Sequence, residues 1–235
     1  MKPEIFLDLY RNLEQLVKGN YAGRKFESPI INFSNSQQGK PYKEELNAIR
    51  EIRNLLVHLP MIDGTYPIEP SDEIGAALQE VIESIEHPLK AMDFAVKIEN
   101  IMKTKPEDNA FQIMTRMEEN GYSHVPVVMN GKLDGVFSKS TVFSWLINHG
   151  NKDIHKEMLI QDFEVFTRIN SPHSEYYEFA ARNALYIQVR ELFEKTYQRK
   201  SRRLAAMFIT ENGHENERLL GMITPWDVLK NGPRQ

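Results

Sequence analysis

The chain has no cysteine among its 235 residues. That excludes disulfides, thiolate metal ligands and cysteine nucleophiles, and it fits a reducing cytosol. No run of about 18 apolar residues occurs, so nothing in the sequence reads as a membrane-spanning helix. The first residues, MKPEIFLDLYRNLEQL, carry charges throughout and lack the apolar core of a secretory signal. A cytoplasmic protein with no membrane partner is expected. Neither sign of charge dominates: the formal net charge is −4, so binding to nucleic acid would need a local basic patch. A Gly-x-Gly-x-x-Gly after a strand and a Walker loop are both missing. His87, His124, His149, His155, His173 and His214 do not fall at metal-ligand spacing, and no metal is expected.

What is present divides into two textures. Toward the N-terminus, Ile5, Phe6, Leu9, Leu13, Leu16 and Val17 recur at helical spacing, as do Leu46, Ile49, Ile52, Leu55 and Leu56. Ser71 is placed to cap a third helix carrying Ile74, Leu78, Val81, Ile82, Ile85 and Leu89, with Pro88 marking a kink or stop near its end. The stretch 19–43, rich in Gly, Ser, Asn and Gln, reads as a long loop. From about residue 95 short apolar runs of strand character enter, VPVVM at 125–129 and AAMFIT at 205–210. Each follows a helical stretch and precedes a turn, a second short apolar run and a helix. Residues 109–146 and 183–230 therefore read as two copies of one unit.

Both copies end alike, in GVFSKSTVF (135–143) and GMITPWDVL (221–229). Where a strand hands over to a helix near Pro225, the Thr224 hydroxyl and the free N–H groups of a helix start suit a phosphate. The Asp227 carboxylate can accept two hydrogen bonds from the cis-diol of a ribose. Alternatively, Asp227 is simply an acid favoured by the helix dipole. The first copy keeps Gly135 and Ser138 but carries Thr141 in place of the acid, so one strong site per chain is expected. Val125 and Pro126 are candidates for an apolar wall against a base, or plain core strand. The basic cluster KTYQRKSRR (195–203) offers Arg202 and Arg203 to phosphates or RNA, or forms a solvated helix end.

This order of elements, with its terminal Gly-apolar-apolar-Thr-x-x-Asp, resembles the CBS domain, the repeat named for cystathionine β-synthase, which works in pairs. The resemblance implies an α+β fold: an all-helical N-terminal bundle followed by a CBS pair of two βαββα repeats. It implies domains at 1–93, 94–150 and 183–235, with 151–182 between the repeats. It also implies that Ser138, Thr224 and Asp227 contact phosphate and ribose of an adenosyl ligand such as AMP, ADP, ATP or S-adenosylmethionine, and that the chain is a homodimer.

Within EIRNLLVH (51–58), Arg50, Asn54 and His58 share a helix face and Arg53 sits beside it. Arg, a polar residue, three more residues and His in a helical domain resemble the HEPN superfamily, which includes metal-independent endoribonucleases that dimerise around a shared site. By that resemblance His58 is the general acid/base, Arg53 clamps the scissile phosphate and Asn54 orients the site. The alternative is that the three residues cap the helix or pack an interface. The function expected is a nucleotide-sensing regulatory protein whose C-terminal pair modulates its helical domain. The alternatives are a regulated ribonuclease and a non-catalytic dimeric scaffold.

Overall fold

The computed structural model describes residues 1–19, 28–150, 153–198 and 203–230. The chain divides into two compact units, Met1–Leu89 and Lys90–Gln235. The first is helical. Helix α1 (Pro3–Lys18) starts on a proline, whose missing N–H costs nothing in a first turn. Phe6, Tyr10, Leu13 and Val17 form its buried stripe. Helix α2 (Pro29–Asn35) and a 3-10 turn (Lys40–Tyr42) fall in the stretch read as a loop. That reading is corrected: Pro29 fixes the first helical turn, and Ile30 and Phe33 drop into the core. Helix α3 (Lys43–His58) buries Leu46, Ile49 and Leu56. Helix α4 (Asp72–Glu86) is capped by Ser71, whose hydroxyl accepts from the Ile74 N–H at 3.3 Å, and buries Leu78, Val81 and Ile82. All four helices share one core.

The second unit is built from two copies. The first holds helix α5 (Ala91–Phe94), strand β1 (Val96–Lys97), helix α6 (Ala110–Asn120), strands β2 (His124–Met129) and β3 (Lys132–Ser138), and helix α7 (Lys139–His149). The second holds a 3-10 turn (Ile160–Phe163), helix α8 (Glu164–Thr167), strand β4 (Tyr176–Ala181), helix α9 (Tyr186–Gln198), strands β5 (Leu204–Thr210) and β6 (Gly221–Ile223), and helix α10 (Pro225–Lys230). The stretch 151–182, expected between the repeats, thus carries this opening 3-10 turn, α8 and β4.

The hairpin β2–β3 turns at Asn130 and Gly131, both at positive φ (51° and 77°), the pair a tight two-residue turn demands. In the second copy β5 runs antiparallel to β6, and β4 runs parallel to β5, giving the sheet order β1-β6-β5-β4. Thr104 makes the corresponding parallel bridge to Val127 in the first copy. Register equates the copies residue by residue. Gly135 pairs with Val127 and Gly221 with Ile209. A Cβ on either glycine would lie under 3.0 Å from a crossing carbonyl, 2.7 Å from that of Thr167 and 2.9 Å from that of Val96.

Those crossing segments are exchanged between the copies. Each copy opens on a short turn whose first N–H donates at 2.8 Å to the acid three residues on, Lys90 to Asp93 and Leu159 to Asp162. The first copy's turn bonds to the lead-in of α9, with Ala91 N–H donating to the Ala184 carbonyl at 2.7 Å. The second copy's turn bonds to the lead-in of α6, through Ala110 N–H to Met158 and Ile160 N–H to Asp108. Phe94 accordingly meets Tyr186 edge-on at 5.0 Å, while Phe163 meets Phe137 at 5.3 Å and Trp145 at 5.5 Å. Each core is therefore completed by the other copy's opening turn. A third cluster, with Val136, Tyr177, Ala206, Phe208 and Met222, joins the two sheets.

Phe163 is fully buried, so Phe163→Ala removes a ring from the first copy's core and should cost about 3–5 kcal/mol. Urea unfolding measures the loss. Native-state hydrogen exchange should speed up first in β2, β3 and α6, although residue 163 belongs to the second copy. Faster exchange confined to β5 and β6 would contradict the exchanged arrangement.

Candidate functional site

In the second copy, β6 ends at Ile223 and Pro225 opens α10, which leaves Thr224 as the capping residue. Its backbone N–H and its hydroxyl both donate to Asp227 Oδ2, at 2.8 and 2.7 Å. The bonds are charge-assisted and hold the carboxylate at the helix start. Asp227 is half-buried beside Trp226, which is 78% exposed. A hydroxyl, a carboxylate and the first N–H groups of a helix are thus gathered at one solvent-reached turn. Such a set suits a phosphate and a diol. The same contacts also serve as a cap at the helix start.

The first copy's turn has the same skeleton with neutral groups. The Ser138 N–H donates to Thr141 Oγ1 at 3.0 Å, and the Thr141 N–H donates back to Ser138 Oγ at 3.1 Å. The Thr141 hydroxyl also donates to the Val136 carbonyl at 3.2 Å. Ser138 and Thr141 are both buried.

Beside this turn lies a cluster that sequence reasoning missed. His124 pairs with Ser138 across the β2–β3 ladder. Its Nδ1 lies 2.8 Å from the Ser123 hydroxyl, and its Nε2 lies 3.1 Å from Glu175 Oε2. The Tyr177 hydroxyl donates to the same carboxylate oxygen at 3.3 Å. Burial pushes the Glu175 carboxyl up, but His124 and the Ser138 and Ser140 hydroxyls outweigh it, leaving the group below the usual carboxylate range. Burial, and then the negative charge of Glu175, push the Tyr177 hydroxyl up. Glu175 and His124 are 51 residues apart, and no local pattern could join them.

The remaining candidates are scattered. Val125 packs in the first copy's core and Pro126 is buried next to it, its carbonyl accepting from Thr104 at 3.0 Å. Arg203 is exposed, with its guanidinium over the Tyr197 ring at 4.9 Å. Arg202 lies outside the described residues. In the helical unit, Arg53 Nη1 donates to Asn54 Oδ1 at 3.3 Å, and the Arg53 Cζ lies over the Tyr10 ring at 5.4 Å. His58, the last residue of α3, is exposed. Burial pushes the Tyr10 hydroxyl up, with Glu14 adding to the rise against Arg53 and Arg50. Among the described residues no group of three His, Asp or Glu side chains could hold a metal, and no helix is long and apolar enough to cross a membrane.

No curated protein matches the chain. Solved structures with which it shares a likeness include CBSX2 in complex with AMP, at 18% identity, covering 60% of this chain and 94% of that one, with a TM-score of 0.43. Another is a CBS domain-containing protein of unknown function from Bacillus anthracis str. Ames Ancestor, at 16% identity, 62% and 94% coverage and a TM-score of 0.43. A third is the CBS domain pair of MJ0100 with 5′-methylthioadenosine and S-adenosyl-L-methionine, at 14% identity, 61% and 94% coverage and a TM-score of 0.42. Residues 94–148 match the family model of the CBS domain, so the first copy is a CBS domain over that span.

Proposed function

We propose that the Lys90–Gln235 unit senses an adenosyl ligand, drawn from AMP, ADP, ATP and S-adenosylmethionine, at the Thr224–Asp227 turn. The observation that carries this reading is the contrast between two turns of one design. Only the second places a carboxylate, held by Thr224 and half-exposed, where α10 begins. That carboxylate accepts from a ribose diol, and the Thr224 hydroxyl with the helix N–H groups meets phosphate. Arg203, one residue before β5, adds positive charge for a phosphate. The helical unit is the effector in this reading, and the regulatory pair is a homodimer. Regulation needs only that the ligand bind two arrangements of the pair unequally. Because each copy completes the other's core, a ligand at one turn bears on segments of both.

Thermal-shift and calorimetric titration of the full chain with the four ligands tests this reading. At least one should raise the melting temperature, and a blank with all four overturns it. Asp227→Asn keeps a hydrogen-bonding cap but loses the charge. A hydrogen bond to a charged group is worth about 1.5–3 kcal/mol, so affinity should fall roughly 10- to 100-fold while the unliganded melting temperature changes little.

A second reading, the metal-independent ribonuclease, rests on Arg53 being pinned by Tyr10 and Asn54 while His58, one turn beyond Asn54, is exposed. In this reading His58 exchanges protons with the 2′-hydroxyl and leaving oxygen and Arg53 holds the phosphate. RNA cleavage in the presence of EDTA should vanish in His58→Ala with folding intact. Absence of cleavage by the unmodified chain, with and without nucleotide, defeats the nuclease. Blanks in both sets of assays leave the non-catalytic dimeric scaffold.

A further inference from the structure

The first copy's turn is not the weakened twin that Thr141 alone suggests. Its polar groups already face an anion. Glu175 stands one residue before β4, in the second copy, and its carboxylate reaches across to His124 on β2 and to the hydroxyl of Tyr177. Ser138 lies opposite His124 on β3, and the Ser138 and Ser140 hydroxyls help to hold the Glu175 carboxyl below its usual range. The side chains of His124 and Glu175 are 14% and 29% exposed, so the pair is largely withdrawn from water. A charge so placed persists only with partners of this kind.

The second copy lacks this arrangement. One step beyond Met207 and Ile223 in the β5–β6 register stand Ala206 and Thr224, as His124 and Ser138 stand in the first copy. Ala206 is fully buried and offers no polar side chain to hold an internal acid. The substitution of Thr141 for an acid then has a reason. An aspartate in the same turn as Glu175 would crowd two carboxylates, and like charges at short range disfavour the ionised forms of both.

We infer that Glu175 is a built-in anion, held by His124 and Tyr177 beside Ser138, that closes the first copy's turn to an outside phosphate or ribose. This rests on the proposed reading of the second turn as a ligand site. It makes the pair a one-ligand module by construction, with the closing group supplied by the opposite copy.

Calorimetric titration of the full chain with AMP counts the open turns. The unmodified chain should bind one AMP, Asp227→Asn one with roughly 10- to 100-fold weaker affinity, and Glu175→Ala two, with circular dichroism confirming that each variant is folded. Glu175→Gln removes the charge without emptying the space and should also gain a second, weaker site. An unchanged count in Glu175→Ala and Glu175→Gln overturns the inference. So does a count of two in the unmodified chain, or a site of undiminished affinity in Asp227→Asn, and neither observation needs a Glu175 variant. If the unmodified chain binds no AMP, the titrations are run with ADP, ATP and S-adenosylmethionine, and a blank with all four defeats the reading of the second turn. The Glu175 inference is then upheld by a site gained in Glu175→Ala and overturned by none.

Discussion

The interaction on which the second unit depends is the exchange of opening turns. A four-residue turn cannot bury its own phenylalanine, so Phe94 and Phe163 each find a core in the opposite copy. That single constraint fixes much else. It brings β1 alongside β6 and α8 against β3, and it requires glycine at 135 and 221, where the crossing carbonyls of Thr167 and Val96 leave no room for a Cβ. Neither copy is complete without the other, and a change at one turn is felt in both cores.

The exchange also explains how two similar turns come to differ. Once the second copy's chain passes the first copy's sheet, a residue just before β4 lies within reach of β2, and Glu175 pairs with His124 there. The first turn becomes a closed network of hydroxyls, imidazole and internal carboxylate. At the second turn the acid comes from the turn itself, as Asp227, and the equivalent of His124 is a buried alanine. Duplication supplied two strand-to-helix turns, and the crossing chain made one of them self-sufficient.

Much of this was legible in the sequence, and the gaps have physical causes. The hairpin strands, the Asn-Gly turn and the paired Gly-apolar-apolar-Ser/Thr endings are local, so 125–129, 205–210, Ser138 and Thr224 could be read directly. The opening turns could not: with four residues each, they fall below the window in which periodicity has meaning. Helix α2 escaped for a similar reason, since Ile30 and Phe33 cover barely one turn of a segment whose composition suggests loop. Glu175 was invisible because its partners are set by topology, not spacing. Asp227 reads either as a diol acceptor or as a helix-start acid, and what sequence alone could not show is that the Thr224 N–H and hydroxyl both donate to its carboxylate.

The proposed ligand turn and the internal Glu175 together require an asymmetric pair with one open turn. The most direct measurement is a crystal structure of the unmodified full chain grown with AMP. Ribose hydroxyls are expected on Asp227 and phosphate near Thr224, with Glu175 still on His124 and no nucleotide beside Ser138. Nucleotide beside Ser138 with Glu175 displaced, or nucleotide absent from Asp227 and bound elsewhere, would contradict it.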